Sequence, residues 1–376
     1  MNTAYLEFEA GYNDLIKQLE YHSDAEEIIY SVSNLTDPKL SDVVSLASGY
    51  KDSKYRNVSA RFNYNVAIIS LYGLFEQFME SQIENFVKNI SRLALCYDDL
   101  PENLKSNHSL LTLKYAQKNL SDKYIESETK NTNHKLLIQS LYESLNHKAE
   151  SFSIDAKVFS SHTSNFRCEL INVMFGYIGV ERVIEKTLSI EGHQDFYKKY
   201  FGVDDSENNQ SIVNKINEEI SDLVIRRNRI AHGVVEDELI SPSFMKEKSE
   251  FLKKVVYGVF EVCSRFSKEY ERSLIFKTTK SFCLGVPANF FARVNSFGFS
   301  VRDLSIENLK EIVMVGQMVF LVKDNIVSEI FEVESLVHNN KSVSIFEATD
   351  SFDFGIKFST EKKLIKYKNH SFYFSI

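Results

Sequence analysis

Apolar residues recur at three- to five-residue steps through "SLYGLFEQFMESQIENFVKNI". Leu71, Phe75, Phe78, Ile83, Phe86 and Ile90 fall on one broad face, which predicts a long amphipathic helix with Pro101 marking an end soon after it. A second helix is predicted from "SPSFMKEK", with Ser241 as N-cap and Pro242 at the first helical position. Phe244, Phe251, Val255, Val259 and Phe266 are its inward positions. Ile212, Ile216, Ile220, Leu223 and Ile230 mark the inward stripe of a third. The polar "SETKNTNHK" and the acidic "GVDDSENNQS" interrupt this pattern and predict solvated loops.

After about Arg272 the period changes. "SFCLGV", "FFARVNSFGFSV", "IVMVGQMVFLVK", "IVSEIFEVES", "SVSIFE", "FDFGIKF" and "SFYFSI" are short, β-branched and aromatic, and turn residues separate them. Lys323 to Asn325 and His338 to Lys341 have the composition of hairpin connections. Many short strands in a short stretch predict a small β-barrel or sandwich. The expected architecture is therefore α+β and multidomain: an all-α region over residues 1–273, then a small all-β barrel over 274–376.

Composition sharpens this picture at a few points. With 376 residues, two hydrophobic cores are expected, and the 4 prolines favour helix. No apolar run approaches the ~20 residues that span a bilayer, and "MNTAYLEFEA" has no basic block followed by an apolar one. Cys96, Cys168, Cys263 and Cys283 lie too far apart in sequence for a zinc or redox motif, so a cytoplasmic setting is expected. The net charge of −8 counts against a large phosphate-tracking surface but not against a local RNA site. The strand half carries 12 Lys or Arg against 11 Asp or Glu, so the acidic excess belongs to the helical half. Lys362, Lys363, Lys366 and Lys368 are expected on a solvated edge strand.

One stretch concentrates chemistry. "IRRNRIAHGV", Ile225 to Val234, puts Arg226, Arg227, Asn228, Arg229 and His232 at the end of the third helix, before Gly233. Arg227 falls on the inward stripe, where a guanidinium is costly unless something anionic meets it. Asn228 and His232 are four apart and share another face. On an ideal helix Arg227 and His232 point about 140° apart. A purely structural explanation is a capped helix end, with cations at the negative end of the dipole and Gly233 in the left-handed conformation.

"RRNRIAH" resembles the signature of the HEPN superfamily, in which an arginine followed by a polar residue precedes a histidine by four to six positions. Arg227, Asn228 and His232 fit the four-residue spacing. The resemblance covers about residues 56–273 and implies a helical bundle. It further implies a metal-independent endoribonuclease that works as a homodimer, with two motifs lining one cleft. In that chemistry the 2′-hydroxyl of RNA is the nucleophile, a histidine exchanges its proton, and an arginine stabilises charge on phosphorus. The expected catalytic residues are Arg227, Asn228 and His232, with Arg226 and Arg229 as substrate contacts. No metal site and no cofactor are expected. The expected partners are RNA, with tRNA or the ribosome as sources, and an antitoxin or defence-system protein, with no membrane. The resemblance also allows a second class of function, a non-catalytic interaction or regulatory module. More weakly, Val315–Gly316, His338, Ala348 and Gly355–Ile356 resemble the second-domain β-barrel of translation elongation factors, which implies a docking role. His108, His134, His147 and His162 have no partner pattern and are expected to be surface or core residues.

Overall fold

A computed structural model describes residues 3–50, 53–121, 123, 126–146, 152–204, 206–234, 239–301, 312–338, 341–347 and 352–376. The chain forms two compact units, Met1–Ser264 and Arg265–Ile376. The first is helical: α1 (Thr3–Ser33), α2 (Ser41–Tyr50), α3 (Ser53–Leu93), α4 (Glu102–Ser121), α5 (Ser127–Leu145), α6 (Lys157–Ser160), α7 (Cys168–Tyr177), α8 (Val183–Thr187), α9 (His193–Phe201), α10 (Asn209–Ala231) and α11 (Pro242–Thr278), with the unit boundary falling inside α11. No helix among the described residues is long and apolar enough to cross a membrane.

Helix α3 is the axis of this unit and packs against α1, α2 and α10. All six apolar positions expected on its inner face, Leu71 through Ile90, are buried. Full burial of each such side chain stabilises by roughly 1.5–3 kcal/mol, so truncating Phe75 to alanine would cost about 3–5 kcal/mol. Helix α11 starts as its sequence requires: the Phe244 N–H donates to Ser241 Oγ at 3.2 Å, and Pro242 occupies the first turn. Phe251, Val255 and Val259 are buried, but Phe244 is 45% exposed, because the first turn directs Met245 to the core in its place. The segment "SETKNTNHK" is also a correction. It forms the opening turns of α5 and is helical with mostly exposed side chains, so a polar composition marked a solvated face rather than a loop.

A buried polar pair lies outside the α3–α10 region. Tyr97 Oη and His108 Nδ1 are 3.1 Å apart, with His108 almost wholly buried on α4. Burial disfavours the imidazolium and lowers the His108 pKa to about 4.

The second unit contains β1 (Ser281–Gly285), β2 (Asn289–Phe291), β3 (Ser296–Val301), β4 (Ile312–Met314), β5 (Met318–Lys323), β6 (Ile326–His338), β7 (Lys341–Val343), β8 (Ile345–Glu347), β9 (Phe352–Phe358) and β10 (Ser371–Ser375). An antiparallel path runs β1-β10-β5-β6-β9-β3-β2 and folds over a main core, with Phe320, Val322 and Val327 in a second, smaller cluster. Phe297 and Phe299 of β3 meet Phe372 of β10 at 5.0 and 5.2 Å, so strands distant in the ladder are neighbours across the interior. β1 and β2 end the path unpaired with each other among the described residues, so the strands form an open antiparallel sheet coiled on itself. The β5–β6 hairpin closes through Asp324 and Asn325 at φ 51° and 63°, the left-handed pair that a two-residue turn requires. Val315 and Gly316 form a turn before β5 instead of opening a strand, and Ala348 lies outside the described residues. Lys362 and Lys363 precede a short 3-10 turn, Leu364–Tyr367, that contains Lys366, and Lys368 follows it, so the four lysines are not on an edge strand. Lys362 pairs with Glu329 at 2.7 Å.

Candidate active site on helix α10

Helix α10 begins with Asn208, whose side chain accepts the Ser211 N–H at 2.9 Å. Ile212, Ile216, Ile220, Leu223 and Val224 are buried, while Ile230, the last of the expected stripe, is only partly so. The helix ends in a left-handed turn. Gly233 has φ 73°, its N–H donates to the Ile230 carbonyl at 3.0 Å, and the Val234 N–H donates to the Arg229 carbonyl at 2.9 Å. His232 is therefore fixed through its backbone, with its N–H on the Asn228 carbonyl at 3.0 Å. Its imidazole is exposed and makes no hydrogen bond among the described residues.

The four other residues of the motif divide by environment. Arg226 is tied into the scaffold: Nε donates to both Asp222 oxygens at 3.0 and 2.9 Å, and Nη1 donates to Tyr64 Oη of α3 at 2.9 Å. Burial works against the Arg226 charge, but the bonds to Asp222 and Tyr64 outweigh it and raise its pKa further. Behind it, the buried Lys248 of α11 bridges Glu219 at 2.5 Å and Asp222 at 2.8 Å. Burial would raise the Asp222 carboxyl, yet the bonds from Lys248 and Arg226 hold it below the usual range.

Arg227 is different. Its guanidinium carbon lies over the Tyr72 ring of α3, 5.2 Å from the centroid, and Nη1 donates to Asn228 Oδ1 at 3.1 Å. It is half-buried, and no carboxylate among the described residues pairs with it. Asn165, in the segment between α6 and α7, donates from Nδ2 to the same Asn228 oxygen at 3.1 Å. Tyr72 Oη accepts the Phe166 N–H at 3.0 Å and donates to Glu76 Oε1 at 3.0 Å. Burial pushes the Tyr72 phenol well above its ordinary range, so it stays neutral under the guanidinium. Arg229, two residues beyond Arg227, is exposed.

Arg227 and Asn228 are thus brought together, and His232 stands one turn on, at the helix end. Arg226 faces a carboxylate and a phenol. Tyr72 and Asn165 complete the arrangement and were not singled out in the sequence. Tyr72 reads there as one more core aromatic. The spacing of Asp222 and Arg226, four apart, was a usable sign of their pairing.

No curated protein and no solved structure matches the chain. A family model described as RiboL-PSP-HEPN matches residues 20–265, which takes in α3, α10 and most of the helical unit. The chain belongs to the RiboL-PSP-HEPN family.

Proposed function

We propose that the protein is a metal-independent endoribonuclease acting in toxin or anti-phage defence, with Arg227, Asn228 and His232 as its catalytic residues. The observation that carries this is the environment of Arg227: a cation held half-buried on an aromatic ring, oriented by an amide and left without a carboxylate among the described residues. A guanidinium so held has donors to spare for a phosphate. His232, exposed and with no side-chain hydrogen bond among the described residues, takes the proton of the RNA 2′-hydroxyl or gives one to the leaving 5′-oxygen. The 2′-oxygen bonds to phosphorus, the bond to the 5′-oxygen breaks, and the products carry 2′,3′-cyclic phosphate and 5′-hydroxyl ends.

Arg229 is the substrate contact in this reading. Arg226, with three hydrogen bonds to Asp222 and Tyr64, supports α10 rather than RNA. Arg227 faces α3 while His232 is exposed at the helix end, so two copies of the motif in a homodimer make one cleft. The second reading, a non-catalytic interaction module, draws on the glycine turn at Gly233 and the Arg226–Asp222 pair, which would both serve a purely structural helix end.

Total RNA incubated in EDTA with the purified protein and with its His232→Ala variant separates the two. Cleavage by the wild type alone, with cyclic phosphate ends and in a species sedimenting as two chains, is expected. Ends bearing 5′-phosphate, abolition by EDTA or full activity in an isolated monomer each contradict the mechanism. Absence of cleavage of any RNA leaves the interaction module.

A further inference from the structure

We propose that His162 is a positioning residue for the Arg227–Asn228 pair: as a doubly protonated imidazolium it staples the segment 161–166 so that Asn165 reaches Asn228. For its consequence in catalysis, though not for its structural content, this rests on the nuclease reading above.

Both ring nitrogens of His162 face oxygen acceptors. Nε2 lies 2.9 Å from Glu80 Oε1 of α3, and Nδ1 lies 2.7 Å from the Ser164 carbonyl. The Ser164 carbonyl has no proton to lend, and a carboxylate at Glu80 has none either. A neutral imidazole has a single N–H, so it would leave a lone pair facing a lone pair at one of these two contacts. Only the imidazolium satisfies both. The ring is also packed edge-on to Phe166, 4.4 Å between centroids, and its side chain is only 12% exposed. With both nitrogens engaged, His162 has no atom left to touch RNA, which makes it a positioning residue and not a catalytic one.

The charged groups around it favour the cation. From α3 come Glu80 and, further off, Glu76. From α4 comes Lys118, whose Nζ donates to the His162 carbonyl at 3.0 Å and to Ser161 Oγ at 3.1 Å and opposes the charge. The hydrogen bond that His162 donates to Glu80 is the largest influence, burial acts against it, and the balance raises the His162 pKa.

The segment that His162 holds is the one that touches the site. Three residues on, Asn165 Nδ2 donates to Asn228 Oδ1, and next to it the Phe166 N–H donates to Tyr72. The first of these bonds reinforces the orientation in which the Asn228 amide oxygen meets Arg227. With Asn165 in place, the oxygen accepts from both Asn165 and Arg227. Without it, that oxygen keeps Arg227 as its donor but loses the second one, and the amide is held less firmly. Protonation of His162 is in this way linked, through one short segment, to the orientation of the catalytic arginine.

The test uses the full-length protein labelled at histidine and asparagine, with NMR following the His162 ring and the Asn165 and Asn228 side-chain amides from about pH 5.5 to about 9. The two amides are expected to shift with the same midpoint as the His162 ring. Glu80→Gln should lower that midpoint, and His162→Gln should abolish the transition. In parallel, RNA cleavage should fall on the alkaline side with that midpoint, and His162→Gln should lower kcat about tenfold with little change in KM and erase that limb. Amides that do not respond while His162 titrates in the folded wild type overturn the proposal, whatever the RNA assay gives. Coupled resonances without RNA cleavage at any pH uphold the staple and sink the nuclease reading. If His162→Gln fails to fold, the wild-type and Glu80→Gln titrations decide.

Discussion

The Arg227 guanidinium rests on the face of Tyr72, 5.2 Å from the ring centroid, in a chain where that tyrosine is itself almost fully buried. The ring thereby covers part of the cation, while Nη1 donates to Asn228 Oδ1. Arg227→Ala should lower cleavage by a factor on the order of 10²–10³, the loss expected for one oriented donor. Stability should fall by only about 1–2 kcal/mol, the scale of one cation–π contact. Parallel cleavage assays and thermal melts check this. A variant that does not fold would give Arg227 a structural role.

His232 and Gly233 should separate in the same experiments. His232 is exposed and the helix end is closed by backbone bonds, so His232→Ala should change stability by no more than about 0.5 kcal/mol while abolishing cleavage. Gly233 sits at φ 73°, so Gly233→Ala should cost about 1 kcal/mol and loosen the turn that carries the histidine. A His232→Ala variant as active as the wild type would remove the histidine from the mechanism.

Lys248 is buried between two carboxylates, and its removal leaves them to repel one another. Both carboxylates keep some contact with water, so Lys248→Met should cost about 1–3 kcal/mol at neutral pH, less than a fully buried pair. The Asp222 pKa is depressed in the folded state, so its contribution is present above the ordinary 3.8 and is lost as pH falls through the folded value. Urea melts should show the difference between variant and wild type shrinking below that pH. A constant difference down to pH 3 would mean that Asp222 is not part of the interaction.

His108 gives the chain a second acid-sensitive element. Its pKa falls from 6.5 to about 4 on folding, so the unfolded chain binds the extra proton between those values. Stability should therefore drop as pH falls through that window, by about 3 kcal/mol if the whole shift is expressed. His108→Gln should flatten the slope. Equal slopes in both proteins would show that the imidazole protonates without leaving the fold.

The strand unit lies beyond the family match, which ends at residue 265, and we propose that it selects the RNA target. Deleting residues from about 280 onward should change which RNAs are cut without removing the chemistry. A soluble, dimeric truncation that cuts nothing would place part of the active site in the strands.

The elements that were legible in the sequence share a local cause. The N-cap at Ser241, the helix end at Gly233, the hairpin at Asp324–Asn325 and the spacing of Arg227 from His232 are each set by residues within a few positions of one another. What was not legible depends on distant segments. Tyr72 and Asn165 meet the motif from 155 and 63 positions away along the chain, and apolar periodicity records only that Tyr72 is inward-facing. His162 looked like an isolated histidine because its carboxylate partner is 82 positions earlier. Arg226 was expected to meet substrate, since nothing local announces that Tyr64 and Lys248 close around its partner Asp222.

Tyr64, Tyr72, Glu76, Glu80 and Glu84 are all separated by multiples of four on α3, and they meet in turn Arg226, Arg227, Tyr72, His162 and Ser160. Helix α3 thus acts as a ruler against which α10, the end of α6 and the segment after it are set. A single inserted residue between Tyr64 and Tyr72 would turn everything beyond it by about 100° and advance it by about 1.5 Å. Related chains can then be expected to vary freely in the residues on the outer side of this helix while keeping its length between the first tyrosine and the last glutamate. Gaps in an alignment should fall on either side of residues 64–84 and not within them.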